Sequence, residues 1–145
     1  MPDALISIKP IYVQQILSGI KTVEIRRRPI RIPPGTRLWI YSTRPDACVI
    51  AVTLIRKVEA GSPVNLWPQI KGMVGISEER FMAYTAGLAN ITVLFLGCIE
   101  KLDPALDLEE IRGVLPHFHP PQFFSWLPDG ELLKLLESHP RASRI

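Results

Sequence analysis

The pattern of apolar and polar positions predicts short strands and helices from the start of the chain. Residues 5–8 form an apolar run typical of a strand, and Pro10 then suits the first turn of a helix, where its missing N–H costs no hydrogen bond. Apolar residues recur at helical spacing after Pro10, and Gly19 is placed to cap the C-terminus of this helix. From residue 22 to 28 the period changes to two, which predicts a strand with one apolar and one polar face.

The polar face of this second strand places a carboxylate among cations next to a turn. It carries Thr22, Glu24, Arg26 and Arg28, and Lys21 stands two residues after Gly19. Lys21 either holds an anionic or carbonyl group as a point charge, acts as a base if burial lowers its pKa, or is an exposed lysine. Glu24 and Arg26 form either a buried pair that orients a third group or a surface salt bridge. We interpret the segment as a site for an anionic or polar ligand.

The remaining elements predict an α+β fold with a small, closed or nearly closed β-barrel and flanking helices. Strands are expected at 37–42, 48–58 and 91–102, with a helix at 78–86 capped by Ser77. The connection 61–75 is either a functional loop or contains a short helical turn. Two more short helices are expected after residue 104. Because strands follow one another through short turns, antiparallel or mixed pairing is favoured over a doubly wound sheet. We divide the chain into a barrel domain, 1–103, and a C-terminal helical extension packed on it, 104–145.

Composition is typical of a single globular domain. The chain has 145 residues, of which 47% are hydrophobic and 21% are charged. It has no apolar run of the ~20 residues needed to cross a membrane. The N-terminus lacks a leader pattern, so we expect a cytoplasmic protein. Cys48 and Cys98 lie in apolar, strand-like stretches, which predicts two buried, reduced thiols.

Positive charge is concentrated in one segment. The net charge is only +3, but seven basic residues lie between positions 21 and 44 against Glu24 alone. Such a basic patch over a neutral body indicates an anionic partner, with nucleic acid as the first candidate. The alternative is a solvated rim of charge with no partner.

Further polar and aromatic residues extend the candidate site. Tyr41, Ser42, Thr43 and Arg44 end a predicted strand and offer hydroxyls and a guanidinium to a base or phosphate. The alternative for Ser42 and Thr43 is that they satisfy a local turn. The aromatic residues are candidates for base stacking or for the core: Trp39, Trp67, Tyr84, Phe123, Phe124 and Trp126. His117 and His119 lack further metal ligands, so no metal site is predicted. A third reading makes the Pro- and aromatic-rich 117–127 segment a protein-docking surface.

Two stretches of the sequence resemble the ASCH family. The first is the Leu5–Arg26 stretch, which contains Gly-x-Lys-Thr-x-Glu-x-Arg over residues 19–26, and the second is Gly35–Pro45. A later segment, Pro-Pro-Gln-x-Phe over residues 120–124, is similar to one found in some members. The resemblance implies a PUA-like β-barrel whose cleft binds RNA, often in the control of translation or transcription. Some similar proteins hydrolyse acylated cytidines with a lysine, a threonine and a glutamate, and others resemble metal-dependent ribonucleases of single-stranded RNA. Lys21 matches the lysine, Glu24 occupies the threonine's position, and Glu78 or Glu79 is the candidate for the glutamate.

These observations predict a protein that binds RNA or a nucleotide-like ligand, without a cofactor, metal or membrane. The predicted binding residues are Lys9, Lys21, Thr22, Glu24, Arg26, Arg28, Tyr41, Ser42, Arg44 and Tyr84. The alternative is a small hydrolase acting on acylated nucleosides or single-stranded RNA. In that case Lys21 would be the base or would stabilise the transition state, and Glu24 would orient water.

Overall fold

The structure is a computed structural model that describes the backbone of residues 2–144 and the side chains of residues 2–141. The strands in this part of the chain are β1 (Asp3–Ile8), β2 (Val23–Arg26), β3 (Arg37–Ser42), β4 (Cys48–Gly61), β5 (Ile91–Asp107), β6 (Phe124–Leu127) and β7 (Arg141–Arg144). The helices are α1 (Pro10–Ser18), α2 (Pro63–Ile70), α3 (Glu78–Tyr84), α4 (Leu108–Val114) and α5 (Glu131–Ser138). Met1 and Ile145, the outer ends of the predicted domain division, lie outside the described residues.

Local sequence signals explain where most helices begin and end. Pro10 occupies the first turn of α1, and Gly19 closes this helix with a φ of 85°, a left-handed conformation that favours glycine. Three later helices begin at side chains whose oxygen accepts a backbone N–H of the first turn, namely Ser62, Ser77 and Asp107. The connection 61–75 therefore contains a true helix, α2, which was one of the two predicted alternatives.

One mixed sheet organises the chain. Its strand order is β2-β5-β4-β3-β1-β6, and β7 pairs with the second half of β5. The β1–β3 pair is parallel, whereas the other strand pairs described are antiparallel. The long strands β4 and β5 contain several register shifts, which increase the twist and bend the sheet.

The sheet curls until its two ends approach each other. The Arg26 guanidinium on β2 donates a hydrogen bond of 3.1 Å to the carbonyl oxygen of Ser7 on β1, although these strands are not neighbours in the sheet. The predicted α+β fold, a mixed barrel-like sheet with flanking helices, is confirmed; the sheet is a curled half-barrel, less closed than the predicted closed or nearly closed barrel. The C-terminal part adds strands as well as helices, since β6 extends the sheet beside β1.

Apolar side chains form three clusters around the curled sheet. One lies under α1 and contains Val13 and Ile16, and a second lies under α4 and α5 and includes Trp39. The third joins β2 and β5 to α2 and α3 around Phe81. These contacts hold α1 and α3 on either side of the N-terminal end of β2.

The predicted burial of both cysteines is correct for Cys48 and wrong for Cys98, which is exposed; both thiols are free. Thr53 pairs with Ile99 while Ile55 pairs with Leu96, so β5 has one residue more than β4 here. Such a bulge turns side chains away from the face that alternation predicts. The resulting exposure of Cys98 is a tertiary effect that its apolar neighbours did not indicate.

The C-terminal segment is tied to the sheet by charges. Arg37 on β3 bonds to Asp3 and to Glu137 on α5 at 2.6 Å each, and the buried Trp39 indole donates to the same Asp3 carboxylate at 2.8 Å. Because β5 runs without interruption across residue 103, the two predicted domains share a strand. The division at 103/104 stays a prediction.

Candidate functional site

A cavity of about 450 Å³ opens between the curled sheet, α1, α3 and the segment before β6. Its charged and aromatic lining residues are Lys9, Tyr12, Lys21, Glu24, Arg26, Arg80, Tyr84 and Phe123. Ser7, Thr43 and Gln122 add polar groups, while Ile8, Ile25, Val74 and Ile76 supply apolar wall. The cavity thus brings together residues from both ends of the chain.

Lys21 lies on the floor of this cavity with only 5% of its side chain exposed. The chain turns at Gly19, and the Lys21 backbone N–H donates to the carbonyl oxygen of Gln15 at 3.0 Å. The ammonium nitrogen lies 3.4 Å from Glu24 Oε1 and donates to the Val74 carbonyl oxygen at 3.0 Å. It also lies 5.4 Å from the centroid of the Tyr12 ring, within the range of a cation–π contact.

Glu24 joins this lysine to Arg26. The alternation of β2 points both Glu24 and Arg26 inward, and Arg26 Nη2 donates to Glu24 Oε2 at 2.6 Å. The Glu24 side chain is 10% exposed and that of Arg26 is 12% exposed. Arg26 Nε is buried without a hydrogen-bond partner among the described groups, so the guanidinium retains an unused donor. The floor is a buried cation–anion–cation chain.

Burial changes the proton affinity of two lining residues. It lowers the pKa of Lys21, because a buried ammonium loses hydration, and the neighbouring Glu24 carboxylate opposes part of this shift. It raises the pKa of Tyr84, and the negative charge of Glu24 acts in the same direction. The lysine amine is therefore closer to its deprotonated, basic form than a solvated lysine is.

A loop between α2 and α3, residues 71–77, forms one wall. The Met73 carbonyl oxygen accepts the backbone N–H groups of Thr22 and Val23, at 2.8 and 3.3 Å. The Gln15 side-chain amide donates to the Gly75 carbonyl oxygen at 3.0 Å. These bonds hold the loop against the start of β2, so that its Val74 carbonyl reaches Lys21.

The structure brings five of the ten predicted binding residues to the cavity, namely Lys9, Lys21, Glu24, Arg26 and Tyr84. The other five do not line it. Thr22 is exposed outside, since β2 begins only at Val23, and Arg28 follows the end of that strand.

Tyr41, Ser42 and Arg44 do not line the cavity, whereas Thr43 between them does. Tyr41 is buried on the opposite face of the sheet in the cluster around Trp39, and the Ser42 hydroxyl is buried and donates to Asp46 Oδ2 at 2.7 Å. Arg44 is exposed but does not reach the cavity. Ser42 therefore satisfies a local turn, the alternative that the sequence left open.

Several lining residues were not in the predicted set. Arg80 lies four residues before Tyr84 on α3, so helical spacing already placed these two side chains on one face. Tyr12 lies within the ASCH-like stretch, so the family resemblance could have identified it. Ser7 and Gln122 also lie in ASCH-like segments, and tertiary packing brings them to the cavity, where the Ser7 hydroxyl donates to the Pro121 carbonyl oxygen at 2.6 Å.

The described residues contain no group of three or more His, Cys, Asp or Glu side chains arranged to hold a metal ion. In the cavity, both oxygens of Glu24 already face cations. This donor set does not fit a metal ion. Among the described helices, none is long and apolar enough to cross a membrane.

Three comparisons with known proteins identify the same family. The model of the ASCH domain matches residues 6–93. An ASCH domain-containing ribonuclease from Zymomonas mobilis is 33% identical over 135 residues, which cover 92% of this chain and 90% of the relative. The crystal structure of ASCH from Zymomonas mobilis has a TM-score of 0.87 at 30% identity, with 96% of each chain covered. A point mutant from that organism also has a TM-score of 0.87, at 29% identity, over 97% of this chain and 100% of its own. The chain belongs to the ASCH domain family.

Proposed function

We propose that this protein binds single-stranded RNA and takes one nucleotide of it into the cavity. The observation that carries the proposal is the buried Lys21–Glu24–Arg26 chain on the cavity floor. Two cations against one carboxylate leave the floor with a net positive charge, and Lys9 and Arg80 add two more positive charges to the lining. A cavity of this charge favours an anionic ligand.

The size and the groups of the cavity favour a nucleotide over a simple anion. Its volume of about 450 Å³ lies within the range of small-ligand sites. The Arg26 guanidinium suits a phosphate or a base edge, and the Tyr12 ring in the cavity lining suits a base. The relative that is named a ribonuclease supports RNA as the class of ligand.

Binding of a fluorescein-labelled single-stranded RNA, measured by anisotropy at several salt concentrations, tests this proposal. We expect the affinity to fall with added salt, because cations that contact phosphates release counterions. Lys9→Gln and Arg80→Gln should each weaken binding roughly 2- to 5-fold, the size of an exposed ion pair. Arg56→Gln removes an exposed arginine that does not line the cavity, and it should have no such effect.

Two results would overturn the proposal. One is the absence of binding, or binding that salt does not weaken. The other is equal affinity of the Lys9, Arg80 and Arg56 variants, which would place the RNA elsewhere on the protein. A duplex of the same sequence should bind more weakly than the single strand, since its bases are already stacked and paired.

Hydrolysis of single-stranded RNA is a second candidate function. Two observations favour it: the name of the ribonuclease relative, and the lowered pKa of the buried Lys21 amine. A deprotonated lysine accepts the proton of the attacking oxygen, which belongs to a water molecule that Glu24 orients or to the RNA 2′-hydroxyl. That oxygen bonds to phosphorus, the bond to the leaving strand breaks, and the leaving oxygen takes the proton from the Lys21 ammonium, which returns to its amine form.

Incubation with end-labelled RNA decides this candidate. A 2′,3′-cyclic phosphate product would indicate attack by the 2′-hydroxyl, and a linear phosphate attack by water. Lys21→Met should lower the rate about 100-fold or more, the typical contribution of a positioned acid or base. Unchanged cleavage in this variant would exclude the mechanism. Hydrolysis of acylated cytidine, measured in parallel, tests the other predicted substrate. Repeating both assays with a chelator shows whether either reaction needs a metal ion.

The cellular role is part of the same proposal. The family resemblance predicts control of translation or transcription, and the composition predicts a cytoplasmic location. Ultraviolet crosslinking in cells, followed by sequencing of the attached RNA, would identify the bound transcripts. Cell fractionation tests the location independently.

A further inference from the structure

Two aromatic rings stand at the opening of the cavity on different elements. Tyr84 ends α3, and Phe123 directly precedes β6. Both line the cavity, yet they remain 46% and 43% exposed, so each presents ring surface to solvent as well as to the interior. Such half-exposed rings are available to stack on a planar ligand outside the cavity.

Each of these rings contacts one of two consecutive arginines, Arg27 and Arg28. The Arg27 guanidinium carbon lies 5.7 Å from the centroid of the Tyr84 ring, and that of Arg28 lies 5.0 Å from the centroid of Phe123. Arg27 and Arg28 directly follow β2 and are both exposed. The Arg27 and Arg28 side chains therefore diverge, one to the ring on α3 and the other to the ring before β6. The Lys21–Glu24–Arg26 floor directly precedes them in the sequence.

We propose that Tyr84 and Phe123 are two stacking subsites for the bases on either side of the nucleotide in the cavity. Arg27 and Arg28 bind the phosphates that link these nucleotides to the central one. This inference rests on the proposed binding of RNA and deepens it, because it sets the length of strand that the protein recognises at three nucleotides.

At each of the two rings, an aromatic surface for stacking lies next to a positive charge. A base stacks on an aromatic ring with little dependence on sequence, because every base has a π face. An arginine beside the ring adds a charge for the adjacent phosphate and retains its cation–π contact. A single exposed aromatic residue or a single arginine would not indicate a binding site for RNA. Two ring–arginine pairs at one opening can bind consecutive nucleotides of a strand.

The dependence of affinity on oligonucleotide length tests the inference. Unlabelled oligoadenylates of one, three and five nucleotides compete with a labelled RNA decamer, and gels confirm that the RNA stays intact. Each stacked base should raise the affinity about 5- to 150-fold. We therefore expect a large increase from one to three nucleotides and a small one from three to five.

Variants separate the subsites from the cavity. Tyr84→Ala and Phe123→Ala should each weaken the trinucleotide at least 5-fold, and by a clearly larger factor than they weaken the mononucleotide. Tyr84→Phe keeps the ring and should retain the affinity, and Phe123→Leu keeps apolar bulk and should not. Trp126→Ala is the matched control, because Trp126 is 38% exposed but does not line the cavity.

The outcomes distinguish this inference from the proposed function. If the trinucleotide binds no more tightly than the mononucleotide, the stacking subsites are wrong while RNA binding stands. Equal losses for mono- and trinucleotide in the alanine variants would place the rings within the cavity site and also overturn the inference. Binding of none of these oligonucleotides, nor of the decamer, would remove the proposed function itself.

Discussion

Replacing Glu24 by glutamine tests whether the cavity floor is held together by charge. The side chain keeps its shape but loses the negative charge between two buried cations. Coulomb's law at an effective dielectric constant of ~20 gives an attraction of about 5 kcal/mol for Lys21 at 3.4 Å and about 6 kcal/mol for Arg26 at 2.6 Å. Relief of the cost of burying the carboxylate offsets part of this attraction. We therefore expect the free energy of unfolding to fall by about 3–5 kcal/mol, as when one partner of a buried pair is removed.

Urea unfolding at neutral pH measures this loss, provided that the slope m is unchanged. The chain supplies a matched control in the exposed pair of Lys57 and Glu59. Its nitrogen–oxygen distance of 3.0 Å is shorter than that of the Lys21–Glu24 pair, but its side chains are 56% and 36% exposed. Glu59→Gln should cost no more than about 1 kcal/mol, because water screens a surface pair.

A double-mutant cycle isolates the contribution of the pair. Lys21→Met removes one of the cations that Glu24 compensates, so the double variant Lys21→Met/Glu24→Gln should be more stable than the sum of the single effects predicts. We expect a coupling energy of at least about 1 kcal/mol, above the ~0.5 kcal/mol scatter of independent sites. Additive single effects, or equal losses for Glu24→Gln and Glu59→Gln, would refute the reasoning that burial makes this pair matter.

Three further predictions concern the lysine, the arginines at the opening and the wall loop. Burial lowers the pKa of Lys21 in the folded protein below its usual 10.5, so between the two values the unfolded chain binds more protons and stability rises with pH. The difference in unfolding free energy between wild type and Lys21→Met should thus shift in favour of wild type from about pH 7 to about pH 10; a constant difference would contradict this. Arg27→Gln and Arg28→Gln should each reduce the slope of log affinity for single-stranded RNA against log salt by about 0.7, and an unchanged slope would place these charges away from the RNA. Gly75→Ala should destabilise more than Gly72→Ala in urea unfolding, since both have φ near +80° but an added Gly75 Cβ would displace the Gln15 side-chain amide from its hydrogen bond to the Gly75 carbonyl oxygen; equal losses of about 1–2 kcal/mol would mean that the amide moves aside at no cost.

The ASCH signature predicted more of the residues in the candidate site than the composition did. Alternation along residues 22–28 correctly placed Glu24 and Arg26 on one face, because the period of a strand depends only on its backbone geometry. The same rule assigned Thr22 and Arg28 to that face, and it did not hold there because β2 is shorter than the alternating pattern. Where a strand starts and ends depends on its partner β5, which lies about 70 residues away in the sequence.

The Tyr41–Arg44 turn shows the limit of reading chemistry from residue types. Its hydroxyls and guanidinium are suitable for binding nucleic acid, and nothing local indicates which face of the sheet they occupy. In the structure, helices α4 and α5 cover the face that contains Tyr41, and Asp46 engages the Ser42 hydroxyl. Tyr41 was therefore placed by packing against elements more than 60 residues later, whereas Ser42 is engaged by a partner four residues away.

The sequence by itself determined most of the elements before residue 104 and the placement of Glu24 and Arg26 on one face of β2. Helix caps such as Gly19 and Ser77, the period of β2 and the placement of Lys21 after a turn all act over a few residues, and they are readable without a fold. Only the tertiary structure decided that Lys21 is buried, because its burial requires the Val74 carbonyl from a distant loop. It also decided that Tyr84 and Phe123 meet at one opening, through curling of the sheet and docking of α3. Burial and convergence depend on long-range packing, and these two properties turn a basic strand into a candidate binding site.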